Sequence, residues 1–210
     1  MGVVPLVSGG IDSLVMCKIL ELEKQEQYPL FIDYGQLASE KEWTACKRIF
    51  SKSNLPEPTR ICLDGYGKLI KSGITDRSKD IYNEAFLPGR NLLFIVVAAA
   101  FAHQKGVANI AIGLLAEENH LFPDQTEEFI VNSNFALNSA FGDSFTIITP
   151  LLTFSKRDVI KLAKKYLLPI KETYSCHSGE DVYCGKCIAC KEIIDSGEKD
   201  SFPQFTKEGD

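Results

Sequence analysis

The chain has 210 residues, 45% of them hydrophobic and 24% charged, with a net charge of −5; this suits one α/β domain with a small appendage and a substantial core. The acidic balance disfavours nucleic acid as a main partner, because the one basic cluster, Lys161, Lys164 and Lys165, reads as the solvated face of a helix. The longest apolar run, residues 92–102, is too short to cross a membrane and the N-terminus carries no leader or lipidation signal, so no membrane partner is expected and the expected location is the cytoplasm.

In chain order, residues 3–7 are short, β-branched and without alternation, the pattern of a buried parallel strand. Residues 12–25 set Leu14, Val15, Ile19, Leu20 and Leu22 at near-helical spacing. A second strand over 29–32, a helix over 38–50 and a third strand over 59–63 complete βαβαβ, the rhythm of a doubly wound, mostly parallel sheet. Residues 65–84 are polar and read as an irregular, mobile loop. Phe86-Leu-Pro-Gly-Arg90-Asn91 opens a helix over 92–105, followed by a strand over 108–113 and an acid-rich loop over 114–124. A helix over 126–141, a strand over 145–149 and a helix over 155–166 follow. The last has Asp158 early and Lys164-Lys165 late, matching the helix dipole. Residues 1–170 are expected to form the α/β domain and 171–210 a cysteine-rich tail. Loops enlarged at the strand C-termini predict a ligand crevice there.

Two clusters carry chemistry. Ser8-Gly9-Gly10-Ile11-Asp12-Ser13 lies between a strand end and a helix start, where backbone N–H groups are unpaired and the helix dipole favours an anion. Paired glycines allow close approach of a phosphate, and Ser8 and Ser13 add hydroxyl donors. Asp12 would repel a bare phosphate, so its presence points to a metal between them. The second cluster gathers four of the seven cysteines, Cys176, Cys184, Cys187 and Cys190. Four thiolates in one short segment point to tetrahedral Zn²⁺ in a closed structural site, with an iron–sulfur cluster as the rival and His177 as a bystander. Cys17, Cys46 and Cys62 read as small buried hydrophobes.

The first cluster resembles the PP-loop of the N-type ATP pyrophosphatases. With the cysteine pattern, and with Phe31-Ile32-Asp33-Tyr34-Gly35-Gln36, Phe86-Leu-Pro-Gly-Arg90-Asn91, Phe122-Pro123-Asp124 and Ser155-Lys156, the chain resembles the QueC family of 7-cyano-7-deazaguanine synthases nearly end to end. The resemblance implies an adenine-nucleotide alpha-hydrolase-like fold with a C-terminal zinc segment. It also implies an ATP-dependent ligase that adenylates 7-carboxy-7-deazaguanine, forms an amide with ammonia and proceeds to the nitrile, and a homodimer. Ser8, Gly9, Gly10, Asp12 and Ser13 would hold the pyrophosphate of ATP with Mg²⁺, and Phe31 to Asp33 would meet adenine. Arg90 would contact phosphate or the substrate carboxylate, with a structural ion pair as the alternative. Asp124 beside Phe122 would read the guanine-like edge, with loop capping as the alternative. Glu117 and Glu118 would bind metal or substrate unless they form a solvated acidic loop, and Lys156 would steady phosphate charge unless it is an exposed first-turn lysine. The chain departs from the family pattern at Leu37-Ala38, where a basic pair is usual, and at Gln125-Thr126, where Cys-Arg is usual. These departures motivate a second expectation, an antiphage-type relative that joins the activated carboxylate to an amine of a protein acceptor. A tRNA-thiolating enzyme is disfavoured by the net acidity, and a zinc-stabilised nucleotide-binding module without activity is the remaining alternative.

Overall fold

The computed structural model describes residues 2–116, 121–142 and 144–206. Strand β1 (Gly2–Val7) leads into helix α1 (Ile11–Leu22), then β2 (Glu26–Gln27), β3 (Leu30–Asp33), α2 (Ser39–Lys52) and β4 (Thr59–Cys62). A short helix α3 (Gly65–Leu69) precedes α4 (Arg90–Lys105), β5 (Asn109–Ala111), α5 (Glu127–Phe141), β6 (Thr146–Ile148), α6 (Lys156–Lys165) and α7 (Ile188–Asp195).

The sheet runs β4-β3-β1-β5-β6 with every pair parallel, and β2 adds to the start of β1. This is the doubly wound arrangement expected. Strand order reverses at β1, which pairs with β3 on one side and β5 on the other, so a crevice opens beyond its C-terminal end. One apolar cluster packs α1, α2, α6 and the tail against one face, with Leu14, Ile49, Val159 and Ile193 fully buried. The other packs α4 and α5 against the opposite face through Ile95, Ala98, Ala102 and Leu137. Among the described residues no helix is long and apolar enough to cross a membrane.

Three of the differences from the sequence reading have a local cause. Helix α1 stops at Leu22 because Lys24 turns left-handed (φ 57°) to start β2, a two-residue polar strand with no apolar signature. Helix α4 starts two residues early, at Arg90, because Gly89 takes the left-handed conformation (φ 73°) that turns the chain into it. Residues 65–84 hold the short helix α3 and are otherwise irregular, as expected, but packed: Ile74 is buried and its carbonyl accepts the Leu37 N–H at 2.9 Å. Gly73 permits this, since a Cβ there would lie 2.1 Å from the Asp80 carbonyl oxygen.

Candidate active site

A cavity of about 300 Å³ opens at the C-terminal ends of β1, β3 and β5, with Ser8, Gly10, Asp12 and Ser13 on its wall. The loop between β1 and α1 is held by its own hydroxyls. Ser8 N–H donates to Ser13 Oγ (3.2 Å), Gly10 N–H to Ser8 Oγ (3.3 Å), and Ser13 Oγ–H to the Gly10 carbonyl (3.1 Å). Gly10 is the N-cap of α1 and offers no side-chain acceptor, so the first turn presents its amides outward to an anion. Gly9 is left-handed (φ 79°), and a Cβ there would lie 2.3 Å from the Glu42 carbonyl oxygen, so α2 and the loop fit together only through glycine. The tail secures the same loop from its other side, Tyr174 N–H donating to the Gly9 carbonyl at 3.0 Å.

Lys156 enters from α6. Ser155 caps that helix, accepting from Asp158 N–H, while the Asp158 carboxylate accepts from Ser155 N–H. This capping box sets Lys156 at the first helical position with its side chain turned inward. It is 5% exposed, not the solvated first-turn lysine the sequence allowed. Its Nζ donates to both oxygens of Asp12 (2.9 and 2.7 Å) and lies 3.0 Å from Glu192 on α7. Burial alone would lower the ammonium's pKa, but the two carboxylates more than reverse that and hold it charged. Asp12 is pushed up by burial, with Lys156 opposing.

Arg90, at the start of α4, borders the cavity with its guanidinium 5.8 Å from the Tyr34 ring centre. Among the described residues it has no carboxylate partner, so the ion-pair alternative is not realised there. Phe122 borders the cavity with its ring 4.9 Å from that of Phe86, and Phe31 borders it from β3 with its ring buried against Trp43. Asp33 is paired at the end of β3: Arg60 Nη2 donates to it at 2.5 Å and Gly35 N–H at 3.1 Å. Burial opposes ionisation of Asp33, and these bonds outweigh it and lower the pKa. Asp124 is buried beneath the turn Pro123–Gln125, its carboxylate accepting from Asn91 N–H at 3.3 Å and its carbonyl from Asn91 Nδ2 at 2.8 Å. It braces the start of α4 beside Arg90, and Gln125 rather than Asp124 reaches the cavity wall. Glu117 and Glu118 lie outside the described residues.

The sulfurs of Cys176, Cys184, Cys187 and Cys190 lie within 4.8 Å of one another, and the Cys184–Cys190 pair is 4.0 Å apart. A tetrahedral ion with bonds of about 2.3 Å spaces its sulfurs about 3.8 Å apart, so this set fits Zn²⁺. Backbone N–H groups of Cys184, Cys187 and His177 point at the sulfurs of Cys176, Cys184 and Cys187 at 3.3, 3.3 and 3.5 Å, an arrangement that favours thiolates. Four sulfurs leave no open position for catalysis at the metal. His177 stays out of the set and borders the cavity instead, where burial, aided by nearby Arg90, lowers its pKa to about 4 and keeps it neutral.

Cavity residues that the sequence did not mark as site residues include Tyr34, Glu42, Tyr174, His177 and Glu192. Glu42 had a signal, because it interrupts the stripe Ala38, Ala45, Ile49 that α2 buries. Glu192 had none, since only the docking of α7 brings it to Lys156.

Comparison with known proteins gives a consistent result. The family model "Queuosine biosynthesis protein QueC" matches residues 2–195. A 7-cyano-7-deazaguanine synthase of Nautilia profundicola is 32% identical over 206 residues, 93% of each chain. Among solved structures, a predicted subunit of tRNA methyltransferase from Methanocaldococcus jannaschii superposes with a TM-score of 0.57 at 17% identity, covering 79% of this chain and 76% of that one. The U34-tRNA thiolase NcsA from Methanococcus maripaludis, solved with its [4Fe-4S] cluster, gives 0.54 at 16% identity, covering 97% and 68%. Likeness at these identities speaks to the fold alone.

Proposed function

Because the chain belongs to the QueC family, we propose that it uses ATP to activate a 7-carboxy-7-deazaguanine-type carboxylate, releasing AMP and pyrophosphate, and amidates it with ammonia on the way to the 7-cyano product. A heteroaromatic carboxylate is a poor electrophile because its leaving group would be oxide; adenylation replaces that group with AMP. The observation that carries the reading is one cavity joining the glycine loop, the buried Lys156 ammonium and the Arg90 guanidinium, which has no carboxylate partner among the described residues.

Each residue then has a task. The first-turn amides of α1 and the hydroxyls of Ser8 and Ser13 receive the pyrophosphate, and Gly9 and Gly10 let it approach. The end of β3, Phe31 to Asp33, meets adenine. Lys156 neutralises phosphate charge from a buried position, where electrostatic stabilisation is strongest. Arg90 pairs with the substrate carboxylate or a phosphate, Phe122 and Asp124 take the guanine-like ring and its donor edge, and Glu117 binds substrate or metal. Mg²⁺, when bound, supplies further charge neutralisation, with Asp12 as its carboxylate. Zn²⁺ in the four-cysteine site pins the tail that carries Glu192 and Tyr174 to the loop. The exposed stripe of Leu92, Val96, Val131 and Phe135 on α4 and α5 suits the homodimer.

The test is mass spectrometry of products from purified protein, Mg-ATP, 7-carboxy-7-deazaguanine and ammonium. AMP with 7-cyano-7-deazaguanine is the expected result. ADP in place of AMP would overturn the reading, and a mass shift on an added protein acceptor with no nitrile would redirect it to the conjugating alternative that Leu37-Ala38 and Gln125-Thr126 motivate.

A further inference from the structure

Amidation of an activated carboxyl makes a C–N bond and leaves the nitrogen with one proton too many. Unless that proton departs, the intermediate returns to ammonia instead of expelling AMP. Three carboxylates among the described residues line the cavity: Asp12, Glu42 and Glu192. Asp12 and Glu192 are both committed to Lys156. Glu42 has no cationic partner within ion-pair distance among the described residues, although its own helix, α2, seats it against the glycine loop through Gly9. Gln36 Nε2 donates to its Oε2 at 2.8 Å, and the orientation of that amide is set because Gln36 Oε1 accepts the Tyr34 N–H at 2.9 Å. Glu42 is therefore oriented and neutralised by no charge.

We propose that Glu42 is the base of the amidation step, accepting the proton from the acceptor nitrogen as it attacks the adenylated carboxyl carbon. The inference rests on the function proposed above and deepens it by naming a residue for its second half. Nitrogen bonds to carbon, its extra proton passes to a Glu42 oxygen, the carbon–oxygen bond to AMP breaks with its electron pair leaving on AMP, and Glu42 later returns the proton to water. Burial pushes the Glu42 carboxyl up to about 7; the Gln36 bond and the Arg90 charge oppose this, and Asp33 and Cys176 add to it. The other titratable groups facing it, Tyr34, Cys46 and Tyr174, are themselves held neutral by burial. A base of that strength suits proton transfer near neutrality. Because its carboxylate is the working form, amidation should fall as pH drops through about 7.

The test separates the two half-reactions in the full-length protein. Carboxylate-dependent exchange of labelled pyrophosphate into ATP reports adenylation, and single-turnover amide formation across pH at a fixed concentration of free NH3 reports the second step. Glu42→Gln is expected to keep exchange within about twofold, to slow amide formation at least about a hundredfold, and to lose the acid limb near pH 7. Glu42→Asp should retain the limb. Amide formation at the wild-type rate, survival of the limb in Glu42→Gln, or equal loss of both half-reactions would overturn the assignment. An absence of exchange in the wild-type protein would instead overturn the functional reading beneath it.

Discussion

Lys156→Met is expected to slow AMP release at least about a hundredfold and to destabilise the fold by about 3–5 kcal/mol. The substitution keeps most of the side-chain volume and removes the one cation between Asp12 and Glu192. Two partly buried carboxylates then face each other across a methyl group, and the loop loses the positive charge proposed to meet phosphate. The sign of the pH dependence follows. Without the ammonium Asp12, already raised by burial, loses the charge that opposes the rise, and a raised acid is destabilising once it must ionise. The stability deficit should therefore be smallest in mild acid and grow as pH rises. Glu192→Gln keeps the Lys156–Asp12 bonds and should cost less on both counts. Thermal unfolding of the three proteins at two pH values, beside an AMP assay, checks this; equal stability of Lys156→Met and wild type at high pH would contradict it.

Stripping the metal from the four cysteines is expected to lower the melting temperature by at least about 10 °C and to abolish ATP turnover. The activity is lost through structure rather than through metal chemistry. Cys187 is the N-cap of α7 and Cys190 lies within it, so the helix that delivers Glu192 is built onto the four-cysteine cluster that could hold the metal. The same segment bonds the glycine loop through Tyr174 and Gly9. Because a four-sulfur site has no open position, reloading with Cd²⁺ should restore activity nearly as well as Zn²⁺. Measured metal content, melting temperature and turnover for the apo, Zn²⁺ and Cd²⁺ forms check this. A Cd²⁺ form that is folded but inactive would show that the ion takes part in the chemistry.

Much of this was legible before any coordinates. Strands β1 and β3 announce themselves as apolar runs, and the glycine loop and cysteine cluster as residue types with few other uses. What stayed hidden depends on distance along the chain. Lys156 and Asp12 are 144 positions apart, and nothing local distinguishes a first-turn lysine that turns inward from one that faces water. Asp124 and Asn91 pair across 33 positions for the same reason. Strand β2 was missed because two polar residues carry no periodicity, and its pairing comes from the end of α1 placing them beside β1. The packing of residues 65–84 was missed because a few buried contacts, Ile74 above all, order a stretch whose composition is polar. Glu42 was readable in principle, as a charged residue on a helix stripe that is otherwise buried, a local inconsistency of the kind that marks a functional position.

The central claim is that this cavity breaks ATP between its α and β phosphates with the substrate carboxylate as nucleophile. The measurement that tests it most directly uses 7-carboxy-7-deazaguanine labelled with ¹⁸O in the carboxyl group, with mass analysis of the nucleotide released. The account predicts AMP carrying label from the carboxylate in its phosphate. Labelled inorganic phosphate alongside ADP, or AMP free of label, would contradict it.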